Sequence, residues 1–249
     1  MSNLKSILSS FHLQDELNPK IWESSDKMNS KVRERLLEIA YEFIDFIGVD
    51  MVVDDVVMTG SLANYNWSKY SDVDLHILVD FKQFSKKELP LYEELFRLKK
   101  TLFNDKHNIT IFGYDVELYV QDTSEPHTSS GEYSVLFDEW ITKPKNQDVE
   151  IDTTSIKHKS EGWMKMIDDV INDAEEEDSL ENSKNIINKF KDKLKKYRST
   201  GLEDGGEFSN ENLVFKVLRR NGYIQKLFDF QIKNTDKNLS LKERYLFNK

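Results

Sequence analysis

Between Asp72 and Asp80 the chain alternates in character: Val73, Leu75, Ile77 and Val79 are apolar, and Asp72, Asp74 and His76 stand between them, with Leu78 breaking the polar series. A period of two sends successive side chains to opposite faces, so the segment predicts a strand with one buried face and one mostly polar face carrying two carboxylates. Such a strand needs paired neighbours and a covering layer. The flanking sequence offers both. Val32, Leu36, Leu37, Ile39, Ala40, Phe43, Ile44 and Ile47 recur at helical spacing between Ser30, a plausible N-cap, and Gly48, a stop. A β-branched stretch, Val52 to Met58, then runs into the turn Thr59-Gly60-Ser61. Ser85 and Glu88 form a capping-box pattern ahead of a helix running to about Phe103, although Pro90 favours a start nearer to itself. Ile109 to Gln121 reads as strand with a break at Gly113, and Tyr133 to Phe137 as a further short strand. The pattern predicts an α+β fold: a mixed sheet with flanking helices.

Beyond the linker-like stretch Lys143 to Thr154 the signal turns helical. Trp163, Met166, Ile167, Val170 and Ile171 make one apolar stripe, and Ile186, Ile187, Phe190 and Leu194 another. The charge run Asp173 to Asp178 between them reads as a solvated helix end or loop. Two domains are expected, 1–150 and a helical 151–249. They differ in charge: the first carries 16 Lys+Arg against 27 Asp+Glu, the second 19 against 18. A uniformly basic nucleic-acid binder is therefore excluded, whereas a carboxylate cluster for divalent cations is compatible with the acidic half. Cysteine is absent, which excludes disulfides, thiolate metal sites and Cys nucleophiles. No apolar run reaches the roughly 18 to 20 residues of a membrane helix. The chain is expected to be soluble and cytoplasmic, with no membrane partner.

The chemistry concentrates in Thr59 to Asp80, TGSLANYNWSKYSDVDLHILVD. Two acids on one strand face repel unless a cation neutralises them, and Mg²⁺ takes carboxylate and phosphate oxygens in octahedral geometry. Gly60 permits close backbone approach, and Ser61 with neighbouring N–H groups can donate to a phosphate. In Tyr114 to Val120, Val116, Leu118 and Val120 share one face, leaving Asp115, Glu117 and Tyr119 on the other. Glu117, deeper in the strand, is the expected third acid, with Asp115 in reserve.

A Gly-Ser turn, ten intervening residues, an Asp-Val-Asp strand and a further acid on a later strand resemble the pattern of the polymerase-β-type nucleotidyltransferase superfamily. The resemblance covers roughly residues 30 to 120. It implies a mixed-sheet palm on which two Mg²⁺ (or Mn²⁺) ions, held by Asp72, Asp74 and Glu117, serve transfer of a nucleotidyl group from a nucleoside triphosphate to a hydroxyl. Gly60 and Ser61 then cradle the triphosphate. The segments LNPKIW, GSLANYNW and GEFSNENLVFKVLRRNGY also resemble nucleotidyltransferase-like proteins of large bacteriophages, a likeness that names no substrate. One departure stands out: many members carry Arg-Gly shortly after the Gly-Ser pair, where this chain has Asn64-Tyr65-Asn66-Trp67. Acceptor identity therefore does not carry over.

Other residues have two readings each. His76 is a supporting partner of the acids or simple packing; Tyr65 and Trp67 stack on a base or pin their loop. His127, Ser129, Ser130 and Tyr133 line the nucleotide pocket or make a polar turn. Lys189, Lys191, Lys193, Lys195, Lys196 and Arg198 serve a helix C-terminus or a polyanion. Lys216 and Arg220, four apart, share a helix face able to grip a triphosphate or an RNA backbone. The expected function is metal-dependent nucleotidyl transfer to RNA, a nucleotide, a protein or a small molecule. The alternative is a catalytically silent nucleotide sensor or interaction module on the same fold.

Overall fold

The computed structural model describes residues 2–126, 129–146 and 149–240. The chain runs α1 (Ser2–Leu8), β1 (Trp22–Ser24), β2 (Lys27–Met28), α2 (Ser30–Ile47), β3 (Asp55–Thr59), β4 (Val73–Val79), α3 (Leu89–Lys106), β5 (Thr110–Ile111), β6 (Tyr114–Asp122), β7 (Glu132–Ser134) and β8 (Glu139–Thr142). Four helices follow: α4 (Thr153–Glu176), α5 (Leu180–Gly205), α6 (Asn210–Arg220) and α7 (Tyr223–Leu239). The fold is mixed α+β, a mixed sheet flanked by helices, with a C-terminal helical region. It divides into two units, His12–Asp148 and a second made of Met1–Phe11 with Val149–Lys249. Residues 1–11, grouped with the first half in the sequence reading, belong to the helical unit.

In the first unit a six-stranded sheet has the order β5-β6-β4-β3-β7-β8, with β4 and β6 parallel and the other neighbours antiparallel. The alternating segment forms a central strand. Val73, Leu75, Ile77 and Val79 are fully buried, in one core with Phe43 of α2 and Phe96 and Phe103 of α3. The opposite face holds Asp72, Asp74 and His76 half-buried. Parallel pairing of β4 with β6 requires a crossover, which α3 supplies. α3 also covers part of the β6 edge: the Asn104 carboxamide accepts from Leu118 N at 3.4 Å and donates to Leu118 O at 3.5 Å.

Boundaries differ from expectation where local hydrogen bonds decide them. Asn29, not Ser30, caps α2, its Oδ1 accepting from Lys31 N at 3.0 Å and Val32 N at 3.4 Å. Ser85 and Glu88 bond to each other across a turn, and α3 begins at Leu89 with Pro90 in its first turn, the start that Pro90 predicts. The break at Gly113 is a two-residue hairpin loop in which Phe112 and Gly113 both have positive φ, 50° and 88°, the requirement of a type I′ turn. The expected strand from Tyr133 shortens to β7, and β8 pairs beside it.

In the helical unit, Trp163, Ile167 and Ile171 of α4 and Ile187, Phe190 and Leu194 of α5 are buried, as their spacing predicts. The acidic run Asp173 to Asp178 closes α4 and is exposed except at Ala174. Among the described residues no helix is long and apolar enough to cross a membrane.

Candidate metal centre

Register assembles the centre. Asp74 on β4 pairs with Glu117 on parallel β6 and, on its other side, with Thr59 at the end of β3. Period two puts Asp72 on the same face as Asp74. One carboxylate oxygen from each of Asp72, Asp74 and Glu117 lies within 4.8 Å of the other two, and all three residues are half-buried. That spacing and that all-oxygen donor set fit a hard divalent cation. Asp115 is not part of the group; it pairs with Thr110 in the β5–β6 hairpin and is exposed.

The Gly-Ser turn abuts the acids. Gly60 has φ 78° and ψ −163°, a region that is essentially glycine-only, and a Cβ there would overlap Asp74 Oδ2. Gly60 N donates to Ser129 Oγ at 3.3 Å, so the loop before β7 closes over the turn. The Ser61 hydroxyl donates to Ser71 Oγ at 2.7 Å, and Ser71 Oγ also accepts from Ser68 N at 3.0 Å. The turn and the loop leading into Asp72 are thereby tied together.

One side chain bonds to Glu117, and two more pack on that side chain's ring. Tyr119, two residues on and on the same face, donates to Glu117 Oε2 at 2.5 Å. Its ring stacks on His76 at a centroid distance of 4.9 Å and carries the Lys100 ammonium 3.6 Å from its centroid. Burial first, then the bond to Glu117 and the charges of the three acids, push the Tyr119 phenol well above its usual range. For Lys100, burial lowers the ammonium's proton affinity, and Glu117 and Asp74 oppose that effect. His76 is held between Thr59 Oγ1 at 3.2 Å and Gln121 Oε1 at 2.6 Å. Tyr119 was legible as a face-mate of Glu117. Lys100 was not: it lies on α3, one turn before Asn104, and only the docking of α3 along β6 brings it near the acids.

Other expected residues divide. Trp67 donates its indole N–H to Glu16 O at 2.9 Å and so pins its loop to that segment, while the bond of Tyr65 is a backbone one, its O accepting from Gln14 N at 2.8 Å. Tyr133 is buried against Trp22 and Trp140 and donates to Asp138, a core role rather than a pocket one. Ser129 reaches Gly60, Ser130 is exposed, and His127 lies outside the described residues. In the helical unit, α5 continues to Gly205, so Lys189 to Arg198 occupy its middle and do not serve its C-terminus. Three of them instead sit over rings: Lys191 on Phe228, Lys193 on Trp163 and Arg198 on Phe215. Lys216 and Arg220 lie on α6, where Arg220 donates to Ser10 Oγ at 3.1 Å and covers the Phe11 ring. The chain matches no protein-family model, no curated protein and no solved structure.

Proposed function

We propose that this protein is a metal-dependent nucleotidyltransferase of the polymerase-β type, with the mixed sheet as its palm. It joins a nucleoside monophosphate from a nucleoside triphosphate to a hydroxyl and releases pyrophosphate. The observation that carries this reading is the convergence of Asp72, Asp74 and Glu117 within 4.8 Å, beside a Gly-Ser turn whose glycine backbone touches Asp74.

In this reading Asp72 and Asp74 hold Mg²⁺ or Mn²⁺, and Glu117 completes the set or takes the proton from the acceptor hydroxyl. Bound metal supplies charge stabilisation at the attacking and leaving oxygens of the α-phosphate. Gly60 and Ser61 hold the triphosphate through the turn, and Ser129 fixes the turn from the far side. Lys100 adds positive charge at the edge of the acids, where phosphate oxygens bring negative charge. Attack joins the acceptor oxygen to the α-phosphorus, the bond to the bridging oxygen breaks, and the electron pair leaves with pyrophosphate.

The test is incubation with Mg²⁺ or Mn²⁺ and each of four α-labelled nucleoside triphosphates, alone and with total cellular RNA, the label being followed by size. Transfer that disappears in Asp72→Ala/Asp74→Ala is the expected result, and the size of the labelled product names the acceptor class. Intact nucleotide binding without transfer under every condition would favour a silent sensor on the same fold.

A further inference from the structure

Glu117 has one oxygen already engaged by a neighbouring side chain. Tyr119 donates its hydroxyl proton to Glu117 Oε2 at 2.5 Å, and this phenol is not free to swing away. Its ring is stacked on His76, its register partner across β4 and β6, at an interplanar angle of 13°. His76 is in turn bonded at both ring nitrogens, to Thr59 and Gln121. Lys100 sits over the same ring. The hydroxyl is thus held by a packed aromatic pair, and its bond takes one lone pair of Glu117 Oε2, which makes Oε1 the favoured oxygen for a cation.

We infer that Tyr119 is a positioning residue that keeps Glu117 a one-oxygen ligand and so sets the centre's preference for Mg²⁺ over larger divalent cations; this rests on the metal-dependent reading proposed above. The physical basis is coordination geometry. Mg²⁺ is small, demands near-ideal octahedral placement and suits single-oxygen carboxylates, whereas Ca²⁺ accepts two oxygens from one carboxylate in a looser, higher-coordinate shell. A carboxylate whose second oxygen already accepts from a fixed phenol is a poorer two-oxygen ligand, because one lone pair of that oxygen is taken and its charge is partly drawn off. Hydrogen-bonded partners of metal ligands influence metal affinity by about 10- to 100-fold, so the effect is large enough to measure.

The experiment is calorimetric titration of the full chain with MgCl₂, MnCl₂ and CaCl₂, requiring no turnover. Tyr119→Phe keeps the ring, its stack on His76 and the Lys100 contact while removing only the hydroxyl. The expected result is a fall of roughly tenfold or more in the ratio of Mg²⁺ to Ca²⁺ affinity. Lys100→Met, which alters local charge but leaves the Tyr119–Glu117 bond in place, is expected to tighten binding of both ions with the ratio retained. An unchanged ratio in Tyr119→Phe would overturn the role of Tyr119 and leave the metal reading standing. If the wild type binds no divalent ion, or Asp72→Ala/Asp74→Ala binds as well as wild type, the metal reading itself fails, and this inference with it.

Discussion

At Gly60 a single hydrogen atom decides whether the turn and the acids can meet. Its φ and ψ lie where other residues pay about 1–3 kcal/mol, and a Cβ would overlap Asp74 Oδ2. Gly60→Ala is therefore expected to displace Asp74, lowering the melting temperature and weakening Mn²⁺ binding in calorimetry. Asp55 offers the opposite case. Burial holds its carboxyl above the usual range of 3.8, although Ser134 Oγ and Val56 N both donate to Oδ1. Within the window between 3.8 and the raised folded value, the folded state binds more protons than the unfolded one. Stability accordingly falls as pH rises through that window, and the penalty is complete above it. Asparagine retains the Oδ1 acceptor without the charge, so Asp55→Asn is expected to melt higher than wild type at pH 7. That gap should close as the pH drops below 3.8, and thermal melts across the acid range will show whether it does. The acid pair was legible because strand periodicity assigns faces, and Glu117 because it lies deeper in its strand than its face-mate Asp115. Lys100 was not, because nothing in its helix reveals which strand edge it covers.

Among elements, the β5–β6 hairpin departs most from what its residues prefer. Phe112 occupies a left-handed conformation and is 59% exposed, a poor site for an aromatic. Asparagine ahead of Gly113 is the favoured pair for a type I′ loop. Phe112→Asn is expected to stabilise the protein by about 1 kcal/mol, read by chemical denaturation, because the left-handed cost of 1–2 kcal/mol is largely relieved. The same loop explains why the sequence reads as one broken strand from Ile109 to Gln121: a two-residue hairpin leaves almost no polar linker to mark it. The cap of α2 differs from expectation for a related reason. Asn29 and Ser30 are both good caps, and only the hydrogen bonds to Lys31 N and Val32 N distinguish them. Trp67 has two readings in sequence, and its indole bond to Glu16 O, some fifty residues away, assigns it to pinning. Long-range pairing of that kind leaves no periodic trace.

For the whole molecule, the two-part organisation was legible as a change of period near residue 150, but the return of the N-terminal segment to the helical unit was not. Ile7 is fully buried and Phe11 nearly so, yet the first helix is only seven residues long and carries too weak a pattern to announce its partner. Ile7→Ala is expected to destabilise the helical unit by about 2–5 kcal/mol in denaturant titrations. The acidic excess of the first 150 residues agrees with a centre built from carboxylates, and the near-neutral balance of the rest conceals cations packed over aromatic rings. The most direct test of the account is anomalous diffraction from crystals soaked with MnCl₂ and a non-hydrolysable nucleoside triphosphate. It predicts manganese peaks bounded by Asp72, Asp74 and Glu117, with the triphosphate against Gly60 and Ser61. Manganese absent from these carboxylates, or nucleotide bound away from that turn, would contradict it.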